Sequence, residues 1–105
     1  MGAGPAAARP SVPRRVLAGL GASGRTFVRA VWQRYDDWMP EQETLLQEAG
    51  VVVDALAVYA ATIVKDGPVV TTARGNEVPH PLLRLQAQAQ RTLMLLLRAL
   101  NLKDG

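Results

Sequence analysis

The chain has 105 residues, room for one domain rather than two, and 49% of them are hydrophobic, more than a core of this size readily hides. It has no cysteine, which excludes disulfides and cysteine-ligated zinc and fits a reducing compartment. The net charge of +3 is segregated: residues 1–35 carry six arginines and no acid, residues 36–66 carry seven acids and one lysine, and residues 67–105 carry five basic and two acidic side chains. Such segregation suits a polyanion-binding surface or pairing between subunits, and a basic N-terminus serves equally as a solvated tail.

Residues 1–13 are rich in Gly, Ala and Pro without a hydrophobic period and read as part of a flexible basic arm over residues 1–20. Val16, Leu17 and Leu20 can tack the end of that arm onto a single helical domain spanning 21–102. No apolar run follows a basic start, so no signal peptide is expected, and Ala6 stands where a myristoylation motif needs Ser or Thr. Gly21-Ala22-Ser23-Gly24 breaks the chain, with Ser23 placed as a helix N-cap.

A first helix is expected over about 24–35. Phe27, Val31 and Tyr35 recur at i, i+4 and i+8, with Val28 and Trp32 beside them. Arg25 and Arg29 flank one edge of that stripe and Arg34 lies near the other. A second helix is expected over about 41–65, with Pro40 at its start, Glu41 and Glu43 in its first turn and Lys65 in its last. Asp66-Gly67 is its stop, Gly67 taking a left-handed C-cap conformation. Leu45, Val52, Leu56 and Ile63 form one apolar row. Leu46, Ala49, Val53, Ala57, Ala60 and Val64 form the next, and Val51 and Val58 lie outside both. The helix is therefore apolar around more than one contact face, which implies two packing partners, its own chain and a neighbour. Gly50, at about 1 kcal/mol in helix propensity, marks a close crossing or a bend. The apolar stretch from Ala49 to Val64 contains Asp54 and is shorter than the roughly 20 residues of a membrane span, so it reads as a buried helix and no membrane association is expected.

Val69-Val70-Thr71-Thr72, the turn signal Arg74-Gly75-Asn76 and the returning Glu77-Val78 predict a small β-hairpin leaning on the helices. Pro79-His80-Pro81 then leads into a third helix over about 82–100. Leu82, Leu85, Ala89, Leu93, Leu96 and Leu100 follow 3-and-4 spacing, Arg84, Arg91 and Arg98 recur every seven residues on another stripe, and Leu95 and Leu97 exceed one face. The expected fold is all-α: a hairpin of two long helices, a shorter N-terminal helix and a small β-hairpin between the long helices, assembling as a ring-like oligomer.

The residues offer little to catalysis. There is no phosphate-binding loop of the GxxxxGK[ST] kind. His80 is the only histidine, so neither a metal site nor a triad around Ser11 or Ser23 can be assembled from the usual set. Asp36, Asp37, Glu41 and Glu43 read as a polar loop and a helix first turn rather than a metal cluster. No enzyme activity, metal or cofactor is expected. Arg9, Arg14, Arg15, Arg25 and Arg29 are the candidates for contacting DNA phosphates without reading bases, although Arg25 and Arg29 could instead pair with the acidic second helix. Arg84, Arg91 and Arg98 suit either a positive ring surface or a solvated face. Trp32 and Trp38 read as core or interface anchors. Candidates for the contact between copies are Val51, Leu56, Val58, Ile63, Leu95 and Leu97.

Taken in order, Leu20-Gly21-Ala22-Ser23-Gly24-Arg25 through Trp32 and Tyr35-Asp36, then Leu45-Leu46-Gln47-Glu48-Ala49 with Asp54-Ala55-Leu56, then Asp66-Gly67-Pro68-Val69-Val70, Gly75 and His80-Pro81, and last Leu97-Arg98-Ala99-Leu100-Asn101-Leu102 make a set that resembles the phage terminase small subunit family. The likeness covers about residues 17–102. The hairpin with His80-Pro81 and the closing Leu-Arg-Ala-Leu-x-Leu are its most specific parts. Members of that family often close Leu-Gly-Leu, where this chain has Leu100-Asn101-Leu102. The resemblance implies a non-catalytic adaptor of a tailed phage or prophage, working in the cytoplasm of the bacterial host. Such a protein forms rings, engages viral double-stranded DNA and regulates the large terminase subunit, which carries the ATPase and nuclease. It transfers no residue-level DNA motif. The other reading of the same apolar excess is a helical interaction module, antitoxin-like or regulatory, that binds a protein and no DNA.

Overall fold

The computed structural model describes residues 11–101. The chain runs through α1 (Arg14–Leu17), α2 (Ala22–Arg34), α3 (Pro40–Asp66), β1 (Val69–Thr71), β2 (Glu77–Pro79) and α4 (Leu82–Leu100). The three helices expected from periodicity are all present, each within two residues of its expected ends. The short α1 was not anticipated.

The N-terminus of α2 is built differently from the sequence expectation. Its N-cap is Gly21, which places Ser23 inside the first turn, where it does not cap. The cap comes from another helix. Asp54 of α3 accepts a hydrogen bond from Gly21 N–H at 2.6 Å and one from Gly24 N–H at 2.8 Å. One carboxylate thus satisfies two donors that a helix start leaves open, at the positive end of the helix dipole. The approach requires glycine: a Cβ on Gly24 would lie 2.5 Å from Asp54 Oδ2 and 2.5 Å from the Gly50 carbonyl oxygen. A Cβ on Gly50 would meet Leu20 Cδ1 and Val28 Cγ2, each at 2.9 Å. Gly50 therefore marks a close helix crossing.

Helix α3 opens on Pro40 with Glu41 and Glu43 in its first turn and closes with Lys65 in its last, as the dipole favours. Gln42 ties both ends of the long hairpin together. Its Oε1 accepts from Met39 N–H at 3.0 Å, and its Nε2 donates to the Leu100 carbonyl at 3.1 Å. The stop at Gly67 is where expected, but its conformation differs. Its φ is positive at 85°, while ψ is 155° rather than left-handed helical, which sends the chain straight into β1. The strands pair antiparallel in the register Val69↔Pro79, Val70↔Val78 and Thr71↔Glu77, with Gly75 at φ 84° in the turn.

Along α4 the inward row is Leu82, Gln86, Ala89, Leu93, Leu96 and Leu100, while Leu85, expected in that row, is 42% exposed. A 3.6-residue period centres the row nearer position 86 than 85. The helix ends on Asn101 at φ 52° and ψ 44°. That left-handed conformation is the one glycine takes at helix ends and asparagine tolerates best among the rest.

The core gathers Val16, Leu20, Val28, Trp32, Leu46 and Leu100, with Val12, Leu17 and Phe27 packed against it. Val16, Leu17 and Leu20 thus tack the segment before residue 21 onto the helical domain, as their apolar character led one to expect. Residues 1–10, including Arg9, lie outside the described residues.

Candidate assembly surface and basic face

The geometry that matters most follows from unequal helix lengths. Helix α2 has 13 residues and α3 has 27, about 20 Å against about 40 Å. Only the first half of α3 can lie under α2. The apolar row that begins there shows it: Leu46 and Ala49 are fully buried and Val53 is partly buried. The same row then runs out from under α2. Ala57 and Ala60 are exposed and Val64 is 84% exposed. The adjoining row, Leu45, Val52, Leu56 and Ile63, stays half-buried because it turns toward α4, the principal partner of α3. The second half of α3 and the facing half of α4 thus form a bare two-helix hairpin with an apolar flank.

The six residues expected at a contact between copies divide accordingly. Val51, Val58, Leu95 and Leu97 are exposed, whereas Leu56 and Ile63 sit in the α3–α4 seam, half-buried by their own chain. Sequence periodicity could not separate the two groups, because the seam and the free face are both apolar. Val64 and Met94, which is 56% exposed, belong with the free set. Met94 and Leu95 lie between the exposed Arg91 and Arg98 on the outside of α4.

The arginines also divide. Arg14, Arg25 and Arg29 are exposed and make no ion pair among the described residues. The expected alternative for Arg25 and Arg29, pairing with the acidic second helix, is not seen. Arg15 takes that role instead. Its Nε donates to Glu43 Oε1 at 3.0 Å and its Nη2 to Glu43 Oε2 at 3.1 Å. Its planar fork is matched to a carboxylate of its own chain, so Arg15 is withdrawn from the set of free phosphate contacts. Arg34 lies over the Tyr35 ring, 5.9 Å from its centroid.

The aromatic and histidine side chains serve the fold. Trp32 and Trp38 stack with centroids 5.0 Å apart and planes within 5°, and Trp38 Nε1 donates to the Tyr35 carbonyl at 3.1 Å. An open cleft beside them is lined by Arg15, Asp36, Asp37 and Glu43, with Arg15 and Glu43 already engaged with each other. His80 is buried. Leu82 N–H donates to its Nδ1 at 3.1 Å, so the ring proton sits on Nε2 and is donated to Asp66 Oδ2 at 2.9 Å. The His80 backbone N–H donates to the Pro68 carbonyl at 2.8 Å. This histidine locks the β-hairpin and the start of α4 onto the end of α3.

Among the described residues no group of three or more His, Asp or Glu could hold a metal ion. Helix α3 is long and apolar enough, by length and composition, to cross a membrane, more than the 49–64 stretch alone indicated. Asp54 lies in the middle of it and is committed to the start of α2, and its neighbouring rows pack on α2 and α4. Comparison of the chain with protein-family models, with curated proteins and with solved structures gives no match.

Proposed function

We propose that this chain is the non-catalytic small terminase subunit of a tailed phage or prophage, an oligomeric adaptor that engages viral double-stranded DNA and regulates the large terminase subunit during genome packaging. The observation that carries the reading is the apolar row of α3 that leaves the cover of α2 at Val53 and continues exposed through Ala57, Ala60 and Val64, beside Val58. Exposed apolar surface contiguous with a core is the mark of an interface. In this reading copies close into a ring, and the large subunit supplies ATP hydrolysis and cleavage. The family likeness supplies the packaging context, the bacterial cytoplasm and the absence of catalysis.

DNA contact falls to Arg14, Arg25 and Arg29, with Arg9 of the N-terminal segment. Each arginine set is weak alone, and repetition around a ring multiplies it through avidity. Size-exclusion chromatography with light scattering tests the assembly, and DNA retention across a salt series tests the rest. The expected result is an oligomer above dimer whose log affinity for duplex DNA falls linearly with log salt. A stable monomer at micromolar concentration overturns the reading. An oligomer that retains no DNA at low salt transfers the chain to the helical interaction modules.

A further inference from the structure

Two exposed stripes remain that the fold does not use. On α4, Arg84, Gln88, Arg91, Leu95 and Arg98 alternate by four and three residues, and all five are exposed. On α3, Glu41, Thr44, Glu48, Val51, Ala55 and Val58 alternate by three and four on a side turned away from the buried Leu46 and Ala49, and all but Ala55 are exposed. This alternation is the spacing by which one helix lines a seam against another. Neither stripe has a helix of its own chain on it.

Their charges are opposite and matched in spacing. Helix α4 contains three arginines and no acid. Of the acids in α3, Glu43 is held by Arg15, Asp54 caps α2 and Asp66 holds His80, which leaves Glu41 and Glu48 without a partner among the described residues. The two free glutamates are seven residues apart, as are Arg84 and Arg91, and Arg91 and Arg98. Each interval is about 10.5 Å along its helix. The apolar members flank the charges, Leu95 four residues after Arg91 and Val51 three residues after Glu48.

We propose that the outer stripe of α4 in one copy seats on the outer stripe of α3 in the next, with Arg91 facing Glu48. Either direction of the two helices allows this central pair, because both charge rows repeat by seven. The contact joins two different faces of the molecule, so it runs head to tail and closes into a ring or continues as a filament. Burial of Leu95, Met94, Val51 and Val58 supplies the attraction, and the charges set register and exclude like faces. This assignment rests on the oligomeric reading above and gives the α4 arginines to the contact between copies.

The test is a charge swap read by light scattering. Arg91→Glu and Glu48→Arg are made separately, with circular dichroism to confirm that each exposed change leaves the helices intact. Each variant alone sets like charges face to face and weakens self-association by about tenfold or more. The double variant carrying Arg91→Glu and Glu48→Arg recovers the wild-type mass, since every contact again joins opposite charges whatever the number of copies. Wild-type assembly that neither swap disturbs, or single swaps that disrupt without recovery in the double variant, overturns the α4–α3 contact while leaving the oligomer standing. Loss of DNA retention by Arg91→Glu with assembly unchanged assigns the α4 face to DNA and overturns it as well. A wild-type monomer overturns the oligomeric reading itself, and the contact with it.

Discussion

Replacing Gly24 by alanine isolates the closest approach in the fold. In an unencumbered helix the change would stabilise by about 1 kcal/mol, because alanine loses less backbone entropy. Here the new Cβ would lie 2.5 Å from both Asp54 Oδ2 and the Gly50 carbonyl oxygen. Asp54 can swing aside, but only by releasing the N–H groups of Gly21 and Gly24, a lost cap of about 1–2 kcal/mol. The Gly50 oxygen belongs to the α3 backbone and cannot move without shifting the helix, an overpacking cost of about 1–3 kcal/mol. The net loss is about 2–3 kcal/mol, and for a domain of this size the thermal midpoint drops by about 10–20 °C. Gly50→Ala is the matched comparison. Its Cβ meets the methyl groups of Leu20 and Val28 at 2.9 Å; the Leu20 end can turn aside, whereas the stiff, fully buried Val28 must shift by a small amount, which is still less than moving a backbone. Its net effect stays within about 1 kcal/mol. Both variants are melted by circular dichroism at one protein concentration, because assembly makes the midpoint concentration-dependent. A Gly24→Ala protein as stable as wild type, or a Gly50→Ala protein less stable than Gly24→Ala, refutes the reasoning.

Substitutions at two further positions test the ends of the long hairpin. His80→Ala removes both ring hydrogen bonds at a buried position and costs about 2 kcal/mol, felt locally. Hydrogen exchange at Leu82 N–H should speed up while that in the middle of α3 stays slow, and unchanged protection at Leu82 would contradict the anchoring role. At the last position of the fold, Asn101→Gly should leave stability unchanged within a few tenths of a kcal/mol, whereas Asn101→Val should lose about 1–2 kcal/mol because a β-branched residue resists positive φ. Equal melting of the two would show that the left-handed cap is not maintained in solution.

Local chemistry alone was enough to place the three long helices, the hairpin and its Gly75 turn. Helical and strand periods, Pro40, Gly67 and the Val-Val-Thr-Thr run act within a few residues of themselves, and no distant contact overrides them. The apolar excess of α3 was legible for the same reason, as residues counted around a cylinder. Contacts between residues far apart in the chain were not legible. Nothing near Gly21 announces that Asp54, over thirty residues away, caps α2 in place of Ser23, or that Arg15 spends its charge on Glu43. Nor does a row of apolar residues reveal where its cover ends. Leu46 and Val64 belong to one row by spacing, yet one is sealed and the other lies open. That difference arises because α2 is about half as long as the helix it covers, and a partner's reach exists only once the two helices have been laid side by side.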